Sequence, residues 1–452
     1  MEEECRKEEE SRVVALVFRE PLPWGAVSAL TYTPRSTMRS LGDKSLLVFF
    51  KSEAGNKEPG ATAWNLPLED LARNPWLGFK PEDPDIEDLC FRLGFDYALR
   101  LAEDTAWDER EKMKGKKARW GKGKNTKMPL YDKVYERSQT SFKERYEALL
   151  KVMDAVDITV ERDPRGRKPT FSPKKVLSAA VAGAGNSLRK NAQAVRDADL
   201  DLTVSGDPSR KPCYNTINYH LKKVGRETLD EIVSLLYMVG ETIYTGITGE
   251  KPTSFTVDGS ARTSAHMERR MVAGRETLTH SHLPHQFASN NETNLIRGAD
   301  ALSGQNDATR LLEGIPEGST VCLDRAYYTE RNIRASEGRG HRYNIRAKRY
   351  RGRDYKGASF RRCRERFNPD EYRLRKLGER PFANTEARSG KTVHHGSGEA
   401  HDRRIKLEAA RHNIQRTAFY LEARRLFIPL GKPPPEETTL PDYIEQVLST
   451  PA

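Results

Sequence analysis

Two apolar runs in this sequence each deliver a carboxylate. "TSFTVDGSA" (253–261) alternates Phe255 and Val257 with threonine and reaches Asp258; "STVCLDRAYY" (319–328) carries Val321-Cys322-Leu323 into Asp324. Both read as short strands with an aspartate at the tip and a turn after it. Strand tips of open α/β sheets hold a side chain rigidly while it faces a crevice. Two such aspartates on neighbouring strands can share a divalent ion, and Mg²⁺ prefers a few carboxylates plus water and phosphate oxygens. A pair of ions about 3.5–4 Å apart would activate the attacking oxygen and stabilise the leaving one in phosphodiester displacement. That chemistry needs a third carboxylate, best on a helix beside the strands. "EYRLRKLGERPF" (371–382) offers Glu379, with Tyr372 and Arg375 at helical spacing on the same face. Taken singly, each residue has a plainer role: an aspartate caps a turn, and Arg375 with Glu379 makes an i,i+4 surface pair. The constellation, not any member, points to a metal site.

The elements that must position these residues are legible in outline. The chain has 452 residues, room for two or three domains, with a formal net charge of +12 and a pI of about 9.3. Such a surface attracts polyanions. Only 36% of residues are hydrophobic, and no apolar run approaches the roughly 18–20 residues of a membrane span. The acidic start "MEEECRKEEE" does not read as a signal peptide. Five scattered cysteines without CxxC spacing argue against a disulfide scaffold or zinc ribbon and fit a reducing cytosol.

The basic charge is concentrated. Between Arg339 and Arg364 eleven Lys and Arg, among them Arg346, Lys348, Arg349 and Arg351, face one acid, Asp354, with Tyr343, Tyr350, Tyr355 and Phe360 interleaved. That mixture suits a phosphate backbone. The Gly/Lys-rich run Lys112–Lys127 reads instead as a solvated linker.

Residues 1–110 form a mixed, turn-rich segment of no assigned role, and 111–140 a basic linker. Helical periodicity begins at Ser141 and continues to about 248. It includes a helix with Ser172 as N-cap and Pro173 in its first turn, a second near Leu188, and a polar one at 213–224. The polar helix carries Tyr214, Asn215, Asn218, Tyr219, Lys222 and Lys223. Short helices with small-residue turns are similar to a helix-turn-helix, though an ordinary bundle also fits. A strong amphipathic helix follows at 228–245, then the strand region, taken as a domain over 249–400. A long basic helix at 404–427 lies in the closing segment, 401–452.

At this point the motifs carry a resemblance. "FTVDGSA", "GSTVCLDRAYYTERN" and "YRLRKLGERPF" resemble the three blocks of insertion-sequence DDE transposases, in particular the group whose third block reads Tyr, two residues, Arg, three residues, Glu, six residues, Lys. The match covers roughly residues 250–427, and Asp307 ahead of a short helix belongs to it. The resemblance implies an α/β fold: a ribonuclease-H-like mixed sheet flanked by helices, preceded by a helical, helix-turn-helix-like DNA-binding region. It implies Asp258, Asp324 and Glu379 as catalytic ligands of Mg²⁺, with Mn²⁺ as a substitute. It also implies Tyr372 and Arg375 at the DNA or orienting Glu379, and Arg325 beside the incoming phosphate. The activity implied is cleavage of element ends and transfer of the 3′-hydroxyl strand to target DNA, by a homodimer on double-stranded DNA in the cytoplasm at the nucleoid. A nuclease without strand transfer and an inactive, DNA-binding descendant are the rival readings.

Two features depart from the pattern. The family lysine falls on Glu386, leaving Arg388 or Lys391 to replace it. Residues 261–294 show little strand alternation where antiparallel strands are expected, so they read as short irregular strands with a DNA-facing loop, or as a degraded region. His280, His282 and His285 have a spacing that could hold a transition metal, but without further ligands they read as a polar surface stretch. Cys322 reads as a small buried hydrophobe.

Overall fold

The computed structural model describes residues 137–158, 169–248, 251–272, 275–304, 306–350, 353–393, 397–426 and 438–450. It also describes three strands, β1 (Ser11–Val17), β2 (Leu46–Ser52) and β3 (Thr62–Trp64). The chain divides into two compact units. One gathers residues 1–139, 243–250 and 418–437. In it β1, β2 and β3 form an antiparallel meander, and Tyr244 packs edge-on against Tyr420. The other, residues 140–242, 251–417 and 438–452, holds every candidate site residue. The basic run Lys112–Lys127 lies outside the described residues.

Its helices begin where local chemistry starts them. In α1 (Phe142–Ala155) the Ser141 hydroxyl accepts the Glu144 amide, and in α3 (Leu188–Asp197) Ser187 does the same for Lys190. Between them α2 (Pro173–Ala182) opens on proline after Ser172, whose side chain makes no capping bond. Then come α4 (Tyr214–Lys223) and α5 (Arg226–Thr248). Val152, Leu177, Val195 and Ile217 are fully buried among these helices, which is the amphipathic packing that the periodicity demanded.

The centre of the unit is a mixed sheet flanked by helices. Five of its six strands are β4 (Ser254–Val272), β5 (Arg275–Asn290), β6 (Ile296–Asp300), β7 (Thr320–Leu323) and β8 (Arg342–Ile345), in the order β6-β5-β4-β7-β8, and the sixth, at Thr392–Val393, pairs parallel with β4 off this path. β5 runs antiparallel to both β4 and β6, whereas β4, β7 and β8 run parallel. Short crossovers carry α6 (Thr309–Gly314) before β7 and α7 (Glu330–Gly338) before β8. Asp307 starts α6 by accepting the amide and hydroxyl of Thr309. After β8 come two short antiparallel strands, β9 (Arg349–Tyr350) and β10 (Arg353–Asp354), and α8 (Ala358–Glu365). The chain continues through α9 (Pro369–Tyr372), a 3₁₀ turn at Arg373–Gly378, α10 (Glu379–Ser389), β11 (Thr392–Val393), α11 (Gly398–Leu426) and α12 (Leu440–Ser449).

Residues of 261–294 form long strands, contrary to the reading as irregular strands and a loop. The β4–β5 ladder runs from Phe255↔Asn290 to Val272↔Arg275, with an irregularity between Thr263 and Met267. The alternation was hidden because the inward positions are polar. Arg262, Ser264, Ser281 and His285 are all buried here. Polar side chains that find partners on the elements packed against the sheet, as Arg262 does on Glu408 and Ser389, can occupy a strand whatever their propensity.

Period two along the parallel strands sorts the residues onto two faces. Phe255/Val321/Tyr343 and Val257/Leu323/Ile345 are cross-strand rows and join one apolar core with Leu311, Leu312, Tyr327 and Ile333. The alternate row, Thr256/Cys322/Asn344, faces the chain segment 368–378. Cys322 donates its thiol to the Glu371 carbonyl (3.4 Å) and Asn344 its amide to the Asn368 carbonyl (2.6 Å).

Candidate active site

The next residues in that alternate row are Asp258, Asp324 and Arg346. Val257, Leu323 and Ile345 are in register, so the three positions after them stand side by side at the C-terminal ends of β4, β7 and β8. This is the edge where open sheets build their sites. Asp324 follows the last residue of β7, as expected. Its backbone starts the 3₁₀ turn Arg325–Tyr327, but its side chain makes no capping bond, which removes the plainer reading. Asp258 differs from expectation: β4 does not end there but continues to Val272, and only its pairing with β7 stops at Val257.

The third carboxylate arrives on a segment that is not one helix. Tyr372 closes α9, Arg373–Gly378 is a 3₁₀ turn, and Glu379 opens α10. A close approach explains the 3₁₀ section. A Cβ at Gly378 would meet Thr256 Cγ2 at 2.3 Å and Asp258 Cβ at 3.7 Å, so only glycine lets this turn lie on β4. The side chains still converge. The Arg375 guanidinium reaches Asp258 Oδ2 at 3.4 Å, Asp324 Oδ1 at 3.6 Å and Glu379 Oε1 at 3.6 Å. Three acids that are far apart in sequence thus share one cation.

The acids differ in exposure. The Asp258 side chain is 12% exposed, against 37% for Asp324 and 45% for Glu379. Burial pushes the Asp258 carboxyl up to about 6, with Asp324 and Glu379 adding to the rise; the Gly259 amide and Arg375 oppose it. The Tyr372 hydroxyl is also raised, by burial and by Asp324, while its ring packs on Phe367 at 5.3 Å. Burial likewise raises the Cys322 thiol to about 12, in keeping with its role as a small hydrophobe.

Of the basic candidates, Arg325, Arg346, Lys348 and Arg349 are exposed on and beside this edge, and Arg351 lies outside the described residues. Tyr214, Asn215, Lys222 and Lys223 are exposed on α4, where the Arg189 guanidinium sits 5.2 Å over the Tyr214 ring. They belong to a different element from the carboxylates.

Several positioning residues carried no sequence signal. Arg262 is fully buried and meets both Glu408 oxygens (3.1 and 2.6 Å) and Ser389 (2.7 Å), tying β4 to the end of α10 and to α11. Phe382, one turn beyond Glu379, stacks on Phe287 at 4.6 Å. His285 packs beside both rings and is buried, not part of a polar surface stretch; burial and then Arg262 lower it to about 3. Strand parity is the reason, since His280 and His282 fall on the opposite, exposed side. Glu386 accepts the Ser260 hydroxyl (3.3 Å) and pairs with the exposed Lys391 (3.5 Å). Gly378, directly ahead of Glu379, is the one signal that could have been read, since glycine admits a close backbone approach.

No protein-family model matches the chain, no curated protein is similar to it in sequence, and no solved structure matches its fold. No described helix is long and apolar enough to cross a membrane.

Proposed function

We propose that this protein is a metal-dependent DNA strand transferase of the insertion-sequence transposase kind, with Asp258, Asp324 and Glu379 as its catalytic carboxylates. The observation that carries this reading is the convergence of those three side chains on Arg375 at the C-terminal edge of parallel strands. The strand arrangement supports it: antiparallel strands follow the first aspartate and a parallel strand delivers the second, as expected of a ribonuclease-H-like domain.

The donor set suits a hard cation. It offers carboxylate oxygens with no thiolate or imidazole, and three acids against one guanidinium leave two negative charges unbalanced. Among the described residues no three His, Cys, Asp or Glu are grouped to hold one ion as they stand, and Arg375 pairs with all three of these acids. Asp258, Asp324 and Glu379 would hold Mg²⁺, or Mn²⁺ in its place; the ion would polarise the phosphate and lower the pKa of the attacking oxygen. Arg325, Arg346, Lys348 and Arg349 would draw the DNA backbone to the edge. Arg375 would orient Glu379 and meet a phosphate. Tyr214, Asn215, Lys222 and Lys223 would bind duplex DNA from α4.

A second reading, a DNA-binding protein with unused carboxylates, is favoured by Glu386 where the family carries a lysine. The test is incubation of the purified full chain with Mg²⁺ and the gene's own flanking DNA, comparing wild type with Asp324→Asn. Cleaved 3′ ends and joined products, reduced at least about a thousandfold in the variant, are expected. Cleavage without joining would leave a nuclease. DNA binding with no chemistry in wild type would select the second reading.

A further inference from the structure

The position of Arg375 has a consequence for how the site is controlled. One guanidinium lies within ion-pair distance of all three carboxylates, at 3.4, 3.6 and 3.6 Å. Its Nη1 meets both aspartates and its Nη2 meets Glu379, at distances well beyond the roughly 2.0–2.1 Å contacts that Mg²⁺ demands of its oxygens, so guanidinium and ion cannot occupy this place together. The backbone at Arg375 has little freedom to retreat, because Gly378 presses against Thr256 on β4. The side chain has that freedom: it is 23% exposed, and four rotatable bonds can carry its head outward. Outward of it lies the exposed basic edge with Arg325 and Arg346, where a polyanion would sit.

We propose that Arg375 and a divalent cation are alternative partners for Asp258, Asp324 and Glu379, so that loading the cation releases the guanidinium to a substrate phosphate. This rests on the carboxylates being a cation site, and it adds a coupling that such a site does not require. Until the cation arrives, the guanidinium shields the acids from one another and is withheld from DNA. Once it is displaced, the same positive charge becomes available for bidentate contact with a phosphate, which guanidinium geometry favours. Cation binding and DNA binding then reinforce each other, with one side chain as the coupling element.

The test is equilibrium Mn²⁺ binding to the full chain, followed by loss of the free-ion paramagnetic resonance signal. Wild type is compared with Arg375→Gln, Arg375→Lys and Asp324→Asn. Removing the competing charge is expected to tighten Mn²⁺ binding about tenfold or more in Arg375→Gln. Arg375→Lys keeps the charge on a smaller head group and is expected to fall between the two. Asp324→Asn is expected to weaken binding. In a parallel titration with a duplex oligonucleotide, Mn²⁺ should raise DNA affinity in wild type and raise it less in Arg375→Gln. Mn²⁺ affinity in Arg375→Gln equal to or below that of wild type, with Asp324→Asn still weakened, overturns the exchange and leaves the cation site standing. Wild-type binding that is absent or indifferent to Asp324→Asn overturns both.

Discussion

Two clusters of charge lie in the same compact unit, and they differ in balance. At the strand edge, Asp258, Asp324 and Glu379 share Arg375, three acids to one cation, and two of the acids are well exposed. At the end of β6, Asp230, Asp300 and Asp402 meet Arg226, Lys406 and Arg310, three acids to three cations, with Lys406 fully buried. Two of the buried aspartates respond oppositely. Asp258 is pushed up to about 6. Burial pushes Asp300 up as well, but the Ser303 and Leu302 bonds and Arg226 outweigh it and hold the carboxyl below its ordinary value. Charge that is neutralised internally serves the fold. Charge left in excess is what a ligand can use.

The most severe test of this contrast is to unbalance the second cluster. Lys406→Met leaves Asp230 and Asp402 without their shared buried cation, and a loss of about 3–5 kcal/mol in unfolding free energy is expected. Urea unfolding of the full chain checks it; a loss as small as that of an exposed lysine would dissolve the distinction.

The same logic predicts that Asp258→Asn stabilises. The Asp258 carboxyl titrates at about 6 in the folded chain, above its ordinary 3.8, so the folded form takes up the proton first. That contribution is complete below about pH 4 and is lost as pH rises through 6. The neutral amide is therefore expected to gain roughly 3 kcal/mol near pH 8 and little near pH 4. Asp300→Asn should destabilise across that range, because it strips Arg226 of a partner. Thermal unfolding of both variants at the two pH values decides the matter.

The smallest effect belongs to an exposed cation at the site edge. Arg346→Ala should leave stability unchanged, weaken duplex DNA binding a few-fold and reduce the salt slope by about one. Fluorescence anisotropy at several salt concentrations measures it. An unchanged slope would remove Arg346 from the DNA path.

Parts of this contrast were legible before the fold was known. Asp324 was readable because Val321-Cys322-Leu323 is an apolar run with one polar residue at its end, and strand geometry then fixes where that residue stands. The helices at 173–182, 188–197 and 214–223 followed from caps, proline and spacing. The continuation of β4 to Val272 was not readable, because Arg262 and Ser264 occupy inward positions whose partners come from α10 and α11.

Local signals act over a few residues, so periodicity, caps and turn chemistry name the elements, put Asp324 at the end of its strand and group Arg375 with Glu379, but they end the strand at Asp258 where β4 in fact continues. Nothing within that range reveals that Arg375, an apparent surface partner of Glu379, also reaches an aspartate 117 residues away. Packing brings those groups together: Gly378 admits the 3₁₀ turn onto Thr256, and the register of β4 with β7 puts the two aspartates side by side. Charge balance and desolvation depend on every group within several ångströms, whatever its place in the chain, and so only the tertiary structure decided which carboxylates remain in excess.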